Sequence, residues 1–275
     1  AGRRGGAVFE YRVKGMPMRL TVKKTPPVRR GRRHVLYKPL FLIPLLLFPL
    51  SGCGEKAEKK AERSVFAMDT LIDMAAYGDG ADAALEACEE SIKEIESRFS
   101  TELSGSEIQN LNLSGGVALT VSDAVAGVLK TALEVSEKSG GAFDITVYPL
   151  VRAWGFIGGS YRVPPDGEIS ELLERVGYAN VGVDGNTVTL KNRAEIDLGG
   201  IAKGYAADAL KEVLARHGVD SGLISLGGNV LAYGTKPDGG AWRIGIAAPD
   251  GSADIAGILS VKNATVVTSG SYQRY

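Results

Sequence analysis

The segment from residue 196 to residue 206, IDLGGIAKGYA, contains the residue types that a phosphate site requires. Gly199 and Gly200 precede a helical pattern and carry no Cβ atom that would keep a ligand away from the backbone. The N–H groups at the first turn of a helix, together with the helix dipole, favour an anion. Asp197 and Lys203 add one charge of each sign. We predict a phosphate site between a strand and a helix, although tight packing of the two elements would also explain the glycines.

Apolar periodicity predicts the elements that must position this segment. Spacings of three and four predict four helices. The first runs from about Ala81 to Phe99, and the second from Ser122 as N-cap to near Gly140, with Val125, Leu129, Ala132 and Val135 facing inward. The third contains Ile169, Leu172, Leu173 and Val176 and ends at Gly177. The fourth begins in the opening segment and ends at Gly218. Alternating apolar residues predict strands near 181–183, 188–190, 223–226, 230–233, 242–246, 255–259 and 265–268. The first two are predicted to form a hairpin through the turn of residues 184–186, Asp-Gly-Asn. Early helices and late strands indicate an α+β fold with a largely antiparallel sheet in a single main domain.

Charge is distributed unevenly along a chain whose formal net charge is zero. Residues 1–52 contain 12 Lys and Arg against one acid, whereas residues 53–275 contain 20 basic and 31 acidic residues. We expect no nucleic-acid partner, because binding to a phosphate backbone requires a basic surface. With 44% hydrophobic residues, a chain of this length can bury a full core.

Residues 1–52 have the pattern of an export leader. A basic cluster from Arg29 to Lys38 precedes an apolar run, residues 40–50, that is too short to span a bilayer. The run ends in Leu-Ser-Gly before Cys53, which is similar to a bacterial lipobox, so we expect cleavage there and lipid attachment to Cys53. An ordinary signal peptide with an incidental cysteine is the alternative. Residues before about 28 fit no element and could be a translation artefact; residues 53–64 are expected to be a solvated tether, and residues 65–275 the main domain.

The cysteine and histidine content limits the possible cross-links and metals. With Cys53 used for lipid, Cys88 has no partner and lies on the apolar face of its predicted helix, which excludes a disulfide framework. The chain has two histidines, so a zinc site of usual composition cannot form within it. Any metal is expected to be a hard cation held by oxygen ligands, which indicates Mg²⁺.

The opening segment resembles the D-L-G-G-I-A-K-G-Y-A motif of the ApbE family, the FAD:protein FMN transferases. Further blocks occur in the order of that family: Ala67–Thr70, Phe99–Thr101 with Ser106–Ile108 and Leu111–Asn112, Gly141–Val147, Trp154–Phe156, Ser225–Val230 and Thr268–Gly270. The similarity runs from about Phe66 to the last residue. It implies a T-fold-like α+β domain.

The resemblance implies an enzyme that moves FMN from FAD to a threonine of another protein, releases AMP and depends on Mg²⁺. No catalytic residue is assigned. Matching the motifs residue by residue implies FAD contacts at Met68, Ala142, Phe143, Asp144, Asp197 and Lys203. The carbonyl of Gly200 corresponds to a backbone ligand of Mg²⁺. With the leader, the resemblance implies a lipid-anchored, extracytoplasmic protein of the bacterial cell envelope that modifies FMN-binding subunits of redox complexes.

Several of these residues also have a structural interpretation. Met68 on a strand would belong to the core, Asp144 could cap a turn, and Asp197 could be a helix N-cap partner. The loop of residues 227–229, Gly-Gly-Asn, is explained equally well by a ligand cradle and by tight hairpin geometry.

Two features depart from the pattern of the family. Glu102 stands where the family often has an aromatic residue and cannot stack on a flavin or adenine ring, whereas Tyr161 or Trp154 could take that role. The chain stops at Tyr275, before the family's His-Ile-Asp-Pro block and before the late Asp and Thr that complete the Mg²⁺ shell. We therefore expect a truncated sequence, in which residues 53–275 alone do not flavinylate an acceptor.

Two alternative functions remain compatible with these residues. An FAD pyrophosphatase would use the same site with water as acceptor and give FMN and AMP. A non-catalytic FAD-binding lipoprotein is the other alternative, favoured by Glu102 and by the absent ligands. Release of AMP without an acceptor, or tight FAD binding without turnover, would identify each of them.

Overall fold

A computed structural model of the chain describes residues 12–13, 16–17, 59–249 and 254–269. Contacts within the chain divide it into two units, Ala1–Lys56 and Ala57–Tyr275. In the first unit, strands β1 (Arg12–Val13) and β2 (Met16–Pro17) pair antiparallel. The predicted lipid site at Cys53 and the apolar run of the leader lie outside the described residues.

The second unit combines strands and helices in the predicted α+β arrangement. Its strands are β3 (Lys60–Ala67), β4 (Thr70–Tyr77), β5 (Leu119–Thr120), β6 (Val181–Asp184), β7 (Thr187–Leu190), β8 (Ser221–Leu226), β9 (Asn229–Gly234), β10 (Trp242–Ala247), β11 (Ile255–Val261) and β12 (Ala264–Val267). Its α-helices are α1 (Ala81–Phe99), α2 (Glu107–Leu113), α3 (Asp123–Lys138), α4 (Tyr148–Ala153), α5 (Asp166–Leu173) and α6 (Ala202–Arg216), and short 3₁₀ turns occur at Ile145–Val147 and Tyr178–Asn180.

A five-stranded antiparallel sheet in the order β12-β9-β8-β4-β3 is the centre of this unit. Helices α1 and α6 pack against each other, α1 on β3 and β4, and α6 on β8 and β9. Because side chains alternate along a strand, the other sheet face carries a second apolar cluster, in which Trp242 and Ile244 of the β10–β11 hairpin contact Ala232 and Val266. The predicted antiparallel sheet with packed helices is thus confirmed.

The smaller sheet β5-β7-β6 joins the same main core through α2 and α3. Its hairpin, β6–β7, turns through Gly185 and Asn186 as the sequence predicts. Helix α3 starts where Ser122 predicts, because the Ser122 Oγ accepts a hydrogen bond from the Val125 N–H at 3.3 Å. In the described ranges, no helix combines the length and apolar character that crossing a bilayer requires.

Helix α1 buries one complete apolar stripe, including Cys88. Leu85, Cys88 and Ile92 are fully buried, as their spacing predicts. Burial raises the pKa of the Cys88 thiol to about 12, because the apolar surroundings disfavour the thiolate. Cys88 is therefore a core residue rather than a nucleophile.

Several details differ from the sequence-based expectation. Val135 is 42% exposed rather than inward-facing, and α5 ends at Leu173, before Val176. Helices α2 and α4 were not predicted, because each has fewer than eight residues and so shows less than two full periods. Strand β3 begins at Lys60, inside the segment predicted as a tether.

Gly234 and Gly239 both have positive φ, but a side chain would clash with neighbouring backbone at Gly234 and would meet open space at Gly239. A Cβ atom on Gly234, which has φ 60°, would lie 1.9 Å from the Asp220 carbonyl oxygen, whereas one on Gly239, with φ 74°, would meet nothing within 4 Å. We predict that Gly239→Ala lowers the free energy of unfolding by about 1–2 kcal/mol, the cost of a left-handed alanine. Gly234→Ala should cost at least about 2 kcal/mol more, because the β8–β9 backbone must shift. Equal values in urea denaturation would contradict the close approach at Gly234.

Candidate functional site

The antiparallel register places two hairpin turns at the same end of the five-stranded sheet. Ile72 near the start of β4 pairs with Leu226 at the end of β8. The β3–β4 turn and the β8–β9 turn therefore adjoin each other. A Cβ atom on Gly227 of the second turn would lie 2.1 Å from the Thr70 Oγ1, so this turn packs directly on the first residue of β4.

The first residues of α6 lie toward the same end. Helix α6 ends at Arg216, four residues before β8 begins, and it packs along β8 and β9. Its 15 residues span about 22 Å and the six residues of β8 about 20 Å, so the two elements have matching lengths. The glycine-rich segment that precedes α6 is thereby brought toward the two hairpin turns.

Met68 lies in the β3–β4 turn and not on a strand, which corrects the sequence-based interpretation. Met68 and Asp69 both have left-handed backbone conformations, with φ of 53° and 56°. The Met68 N–H donates a hydrogen bond to the Glu96 Oε1 in α1 at 2.7 Å. The turn is therefore fixed from outside, by a side chain 28 residues further along the chain.

The segment before α6 is extended but does not pair as a strand, in contrast to the prediction. Its backbone is held by a side chain instead: the Asn112 amide accepts from the Ile196 N–H at 2.7 Å and donates to the Ile196 carbonyl at 2.9 Å. The Asp197 N–H donates to the Ile145 carbonyl at 2.8 Å. These contacts bring the predicted segments 142–145 and 196–203 together.

Asp197 lies next to the turn formed by Gly199 and Gly200, called the glycine turn below. Its Oδ1 accepts a hydrogen bond from the Gly199 N–H at 2.9 Å, and a Cβ atom on Gly199 would lie 3.1 Å from its Oδ2. Asp197 is not the N-cap of α6, because that position belongs to Ile201 and makes no side-chain hydrogen bond. The carboxylate therefore lies beside the turn where the motif predicts a ligand.

Phe143 packs on the second glycine of this turn. A Cβ atom on Gly200 would lie 2.9 Å from the Phe143 Cε2, so the aromatic ring occupies the space that a side chain would need. Phe143 is half-buried, whereas its neighbour Ala142 is exposed. Two of the predicted FAD-contacting segments are thus adjacent.

Asp144 acts as a cap in this structure. Its Oδ1 accepts hydrogen bonds from the Thr146 N–H at 2.8 Å and the Thr146 Oγ1 at 2.6 Å, and its Oδ2 accepts from the Tyr178 N–H at 2.7 Å. The Thr146 Oγ1 in turn accepts from the Gly177 N–H at 2.7 Å. Asp144 therefore caps a turn, which is the structural interpretation that its sequence position allowed. Direct contact between Asp144 and FAD stays a prediction.

Several polar groups at the start of α6 have no protein partner. Lys203 is half-buried, and its ammonium makes no hydrogen bond or ion pair with any described residue. Within the same ranges, the backbone N–H groups of Gly200 and Lys203 also donate to no acceptor. The first turn contains no acidic residue. An ammonium and free N–H groups at a helix start form a site that attracts an anion.

Asn229 adds an unpaired acceptor at this end of the sheet. It pairs with Leu226 across the β8–β9 turn, so it shares the helix-covered face of the sheet. The residue is 7% exposed, and its Oδ1 is buried without a hydrogen-bond partner among the described residues. A buried polar atom without a partner destabilises the fold by about 1–3 kcal/mol. A ligand that donates a hydrogen bond to this oxygen would remove that cost, so Asn229 is a candidate binding residue.

The described residues do not complete a metal site. Within residues 59–249 and 254–269, no group of three or more His, Cys, Asp or Glu side chains is arranged to hold an ion. Near the glycine turn the donors are the Gly200 carbonyl and the Asp197 carboxylate, fewer than the six oxygens that Mg²⁺ requires.

The proposed aromatic substitutes for Glu102 lie in a separate loop. Glu102 is exposed, and its N–H donates to the Ser100 Oγ at 3.1 Å. Tyr161 is 63% exposed and packs edge-on against Phe156 with ring centroids 5.7 Å apart, while Trp154 is half-buried. Stacking by either residue stays a prediction.

An open groove of about 610 Å³ lies elsewhere, between the outer face of the sheet and the β10–β11 hairpin. Its polar lining includes Ser64, Asp73 and Ser225. The Ser64 Oγ donates to the Asp73 Oδ1 at 2.6 Å, so these groups satisfy each other. None of the predicted site residues lines this groove.

Two contacts at the site were not foreseen from sequence, those of Glu96 and Asn112. Asn112 belongs to a recognised motif block, yet its partner lies 84 residues away. For Glu96 the sequence does contain an indication, because an acidic residue near the C-terminal end of a helix interacts unfavourably with the helix dipole. Such a residue suggests a contact outside its own helix.

Comparison with known proteins places these features in context. The model of the ApbE family matches residues 68–275. The FAD:protein FMN transferase of Treponema pallidum (strain Nichols) is 31% identical over 87% of this chain and 73% of that protein. That of Vibrio cholerae is 31% identical over 67% of this chain, which spans just over half of that protein, 57%. The crystal structure of the ApbE protein of Thermotoga maritima matches with a TM-score of 0.75 at 32% identity, covering 79% of this chain and 72% of that one.

Asn229 permits a test that separates folding from binding. We predict that Asn229→Leu, of similar shape, raises the free energy of unfolding by about 1 kcal/mol or more, because it removes a buried acceptor without a partner. The same change should weaken FAD binding. Ser221→Ala is the matched control, since the Ser221 Oγ is also buried and unpaired but lies at the opposite end of β8. Chemical denaturation and FAD titration of both variants measure this; loss of stability in Asn229→Leu would contradict it.

Proposed function

The chain belongs to the ApbE family, a family of flavin-transferring enzymes, and on this premise we propose that it transfers FMN from FAD to a threonine of another protein. In this reaction the threonine Oγ forms a bond to the phosphorus of the FMN half of FAD. The bond from that phosphorus to the bridging oxygen breaks, AMP leaves, and the hydroxyl proton is lost to a base or to water.

The main support for this function is the start of α6, where an ammonium and backbone N–H groups have no partner among the described residues. Lys203 lies in the first turn of α6, and the free N–H groups of Gly200 and Lys203 belong to the turn after Asp197 and to that first helical turn. Phosphoryl transfer depends mainly on positioning the phosphates and offsetting their charge. Groups that already lack protein partners can do both without first breaking other contacts. We infer that the diphosphate of FAD lies at this turn.

The surrounding contacts support a rigid site. Asn112 and the Ile145 carbonyl fix the chain on either side of Asp197. Phe143 packs against Gly200 and so restricts the position of the second glycine. A fixed turn needs no reorganisation when the ligand arrives, which favours binding and orientation of the diphosphate.

We propose Mg²⁺ as the metal on the basis of the family resemblance, with the Gly200 carbonyl as one ligand. When bound, the ion would offset phosphate charge. The described residues supply only part of the six-oxygen shell that the ion requires.

The proposed location follows from the leader, and the proposed partners follow from the family resemblance. A lipid on Cys53 would hold the enzyme at the outer face of a bacterial membrane or in the periplasm, where FMN-binding subunits of redox complexes would be its acceptors. The acidic composition of residues 53–275 is compatible with a protein partner.

Lys203 tests the proposed phosphate site. We expect Lys203→Ala to weaken FAD binding by about 1–3 kcal/mol, the usual effect of losing a charge-assisted contact. Lys211→Ala is the matched control, because Lys211 lies on the same helix and is exposed. Isothermal titration of the full-length protein measures both. Unchanged affinity in Lys203→Ala would return Lys203 to an ordinary surface role.

The activity is tested by incubating the full-length protein with FAD, Mg²⁺ and a purified FMN-binding acceptor. We expect covalent flavin fluorescence on the acceptor in a denaturing gel, lost when EDTA removes the metal or when the acceptor threonine is replaced by alanine. AMP release without labelling would identify a pyrophosphatase. FAD binding with neither product would identify a non-catalytic flavin-binding protein.

The proposed lipid anchor at Cys53 can be tested by substitution of this residue. We expect Cys53→Ser to move the protein from the membrane fraction to the soluble fraction, because the lipid acceptor is lost while the charge and length of the leader are kept. Fractionation followed by immunoblotting measures this. A Cys53→Ser protein that sediments with membranes like its parent would show that another segment holds it there.

A further inference from the structure

The turn between β3 and β4 is held in a conformation that its first residue, Met68, does not favour. Two-residue hairpin turns of this kind require positive φ at both positions and are dominated by Asn, Asp and Gly. Here the positions are Met68 and Asp69, with φ of 53° and 56°. A side chain such as that of Met in the left-handed region is uncommon and persists where surrounding contacts fix it.

Glu96 provides such a contact from α1. Its Oε1 accepts the Met68 N–H at 2.7 Å, a short charge-assisted hydrogen bond. The bond reaches the first of the two strained residues. It therefore ties the shape of the turn to a helix that packs along β3 and β4.

The position of Glu96 is unfavourable for α1 itself. It lies in the last turn of the helix, where the dipole disfavours a negative charge. Glu94 on the same helix pairs with Arg98 at 2.7 Å, whereas Glu96 forms no ion pair with any residue that the structure describes. The Met68 N–H is thus the contact that explains a carboxylate at this position.

The end of α1 also contacts α6. Phe99, one turn after Glu96, packs on Tyr205 with ring centroids 5.0 Å apart. Tyr205 lies two residues after Lys203, in the first turns of α6. The end of α1 is therefore bound to the Met68 turn on one side and to the start of the proposed phosphate site on the other.

We propose that Glu96 is a positioning residue of the FAD site, which fixes the Met68–Asp69 turn against the start of α6 so that Met68 is placed to contact the flavin nucleotide. The inference rests on the proposed function. Glu96 acts through the backbone of Met68 and touches no ligand itself.

Four variants of the full-length protein test the inference by isothermal titration with FAD. Glu96→Ala removes the acceptor, and Glu96→Asp keeps the charge but shortens the side chain so that it no longer reaches Met68. Both should bind FAD about tenfold or more weakly, the effect of losing one hydrogen bond to a charged group. Glu96→Gln keeps an acceptor oxygen at the same distance and should bind within about threefold of the parent. Glu94→Ala, an exposed carboxylate on the same helix, should bind like the parent.

Chemical denaturation of the same variants separates position from stability. A Glu96→Ala or Glu96→Asp protein that is less stable but binds FAD like the parent overturns the inference, as does a Glu96→Gln protein as weak as Glu96→Asp. If Glu96→Ala does not fold, the comparison of Glu96→Asp with Glu96→Gln decides. A parent protein that does not bind FAD overturns the proposed function and this inference with it, an outcome distinct from the others because all variants then behave alike.

Discussion

The register of the central antiparallel sheet is the constraint on which the candidate site depends. Because Ile72 pairs with Leu226, the β3–β4 and β8–β9 turns lie side by side, and Gly227 packs on Thr70. A slip of one residue would exchange the two faces of β4, moving Ile72 out of the core. Helix α1 packs on β3 and β4 and helix α6 on β8 and β9, so the positions of Glu96 and Lys203 depend on the register as well.

Polar groups in this end of the molecule divide into two kinds. Asp144 and Asn112 satisfy backbone groups across long sequence distances and so build the frame. Lys203, the free N–H of Gly200 and the Oδ1 of Asn229 have no partner among the described residues. Gly200 is exposed and Lys203 half-buried, so water can serve their polar groups, whereas the buried Oδ1 of Asn229 costs stability while it is unpaired. Proteins retain such a cost mainly where a ligand supplies the missing partner.

Local patterns predicted most helices and strands, because the periods of three to four and of two are properties of short segments. The stripe of α1 with Cys88, the Ser122 cap of α3 and the β6–β7 turn at Gly185 follow directly from the sequence. The contacts between distant segments did not. Nothing near Met68 indicates that Glu96 accepts its N–H, and the extended chain at Ile196 is held by Asn112 rather than by strand pairing. The motif identified which residues belong to the site, but the partner of each one is decided by tertiary packing.

The charges that meet at the glycine turn favour a bound metal ion, although the described residues supply only part of its ligand shell. A bound diphosphate would bring negative charge next to the Asp197 carboxylate, which already faces Gly199. In the described residues of that turn and the first turn of α6, Lys203 is the charged group of opposite sign. Free N–H groups add partial charges, but one ammonium and a helix start do not balance two phosphates and a carboxylate. A divalent cation would restore the balance, and the same argument makes Asp197 unfavourable for binding in the absence of that ion. The affinity for FAD should therefore depend on Mg²⁺ more steeply in the parent protein than in an Asp197→Asn variant, and titrations with and without EDTA would measure that difference.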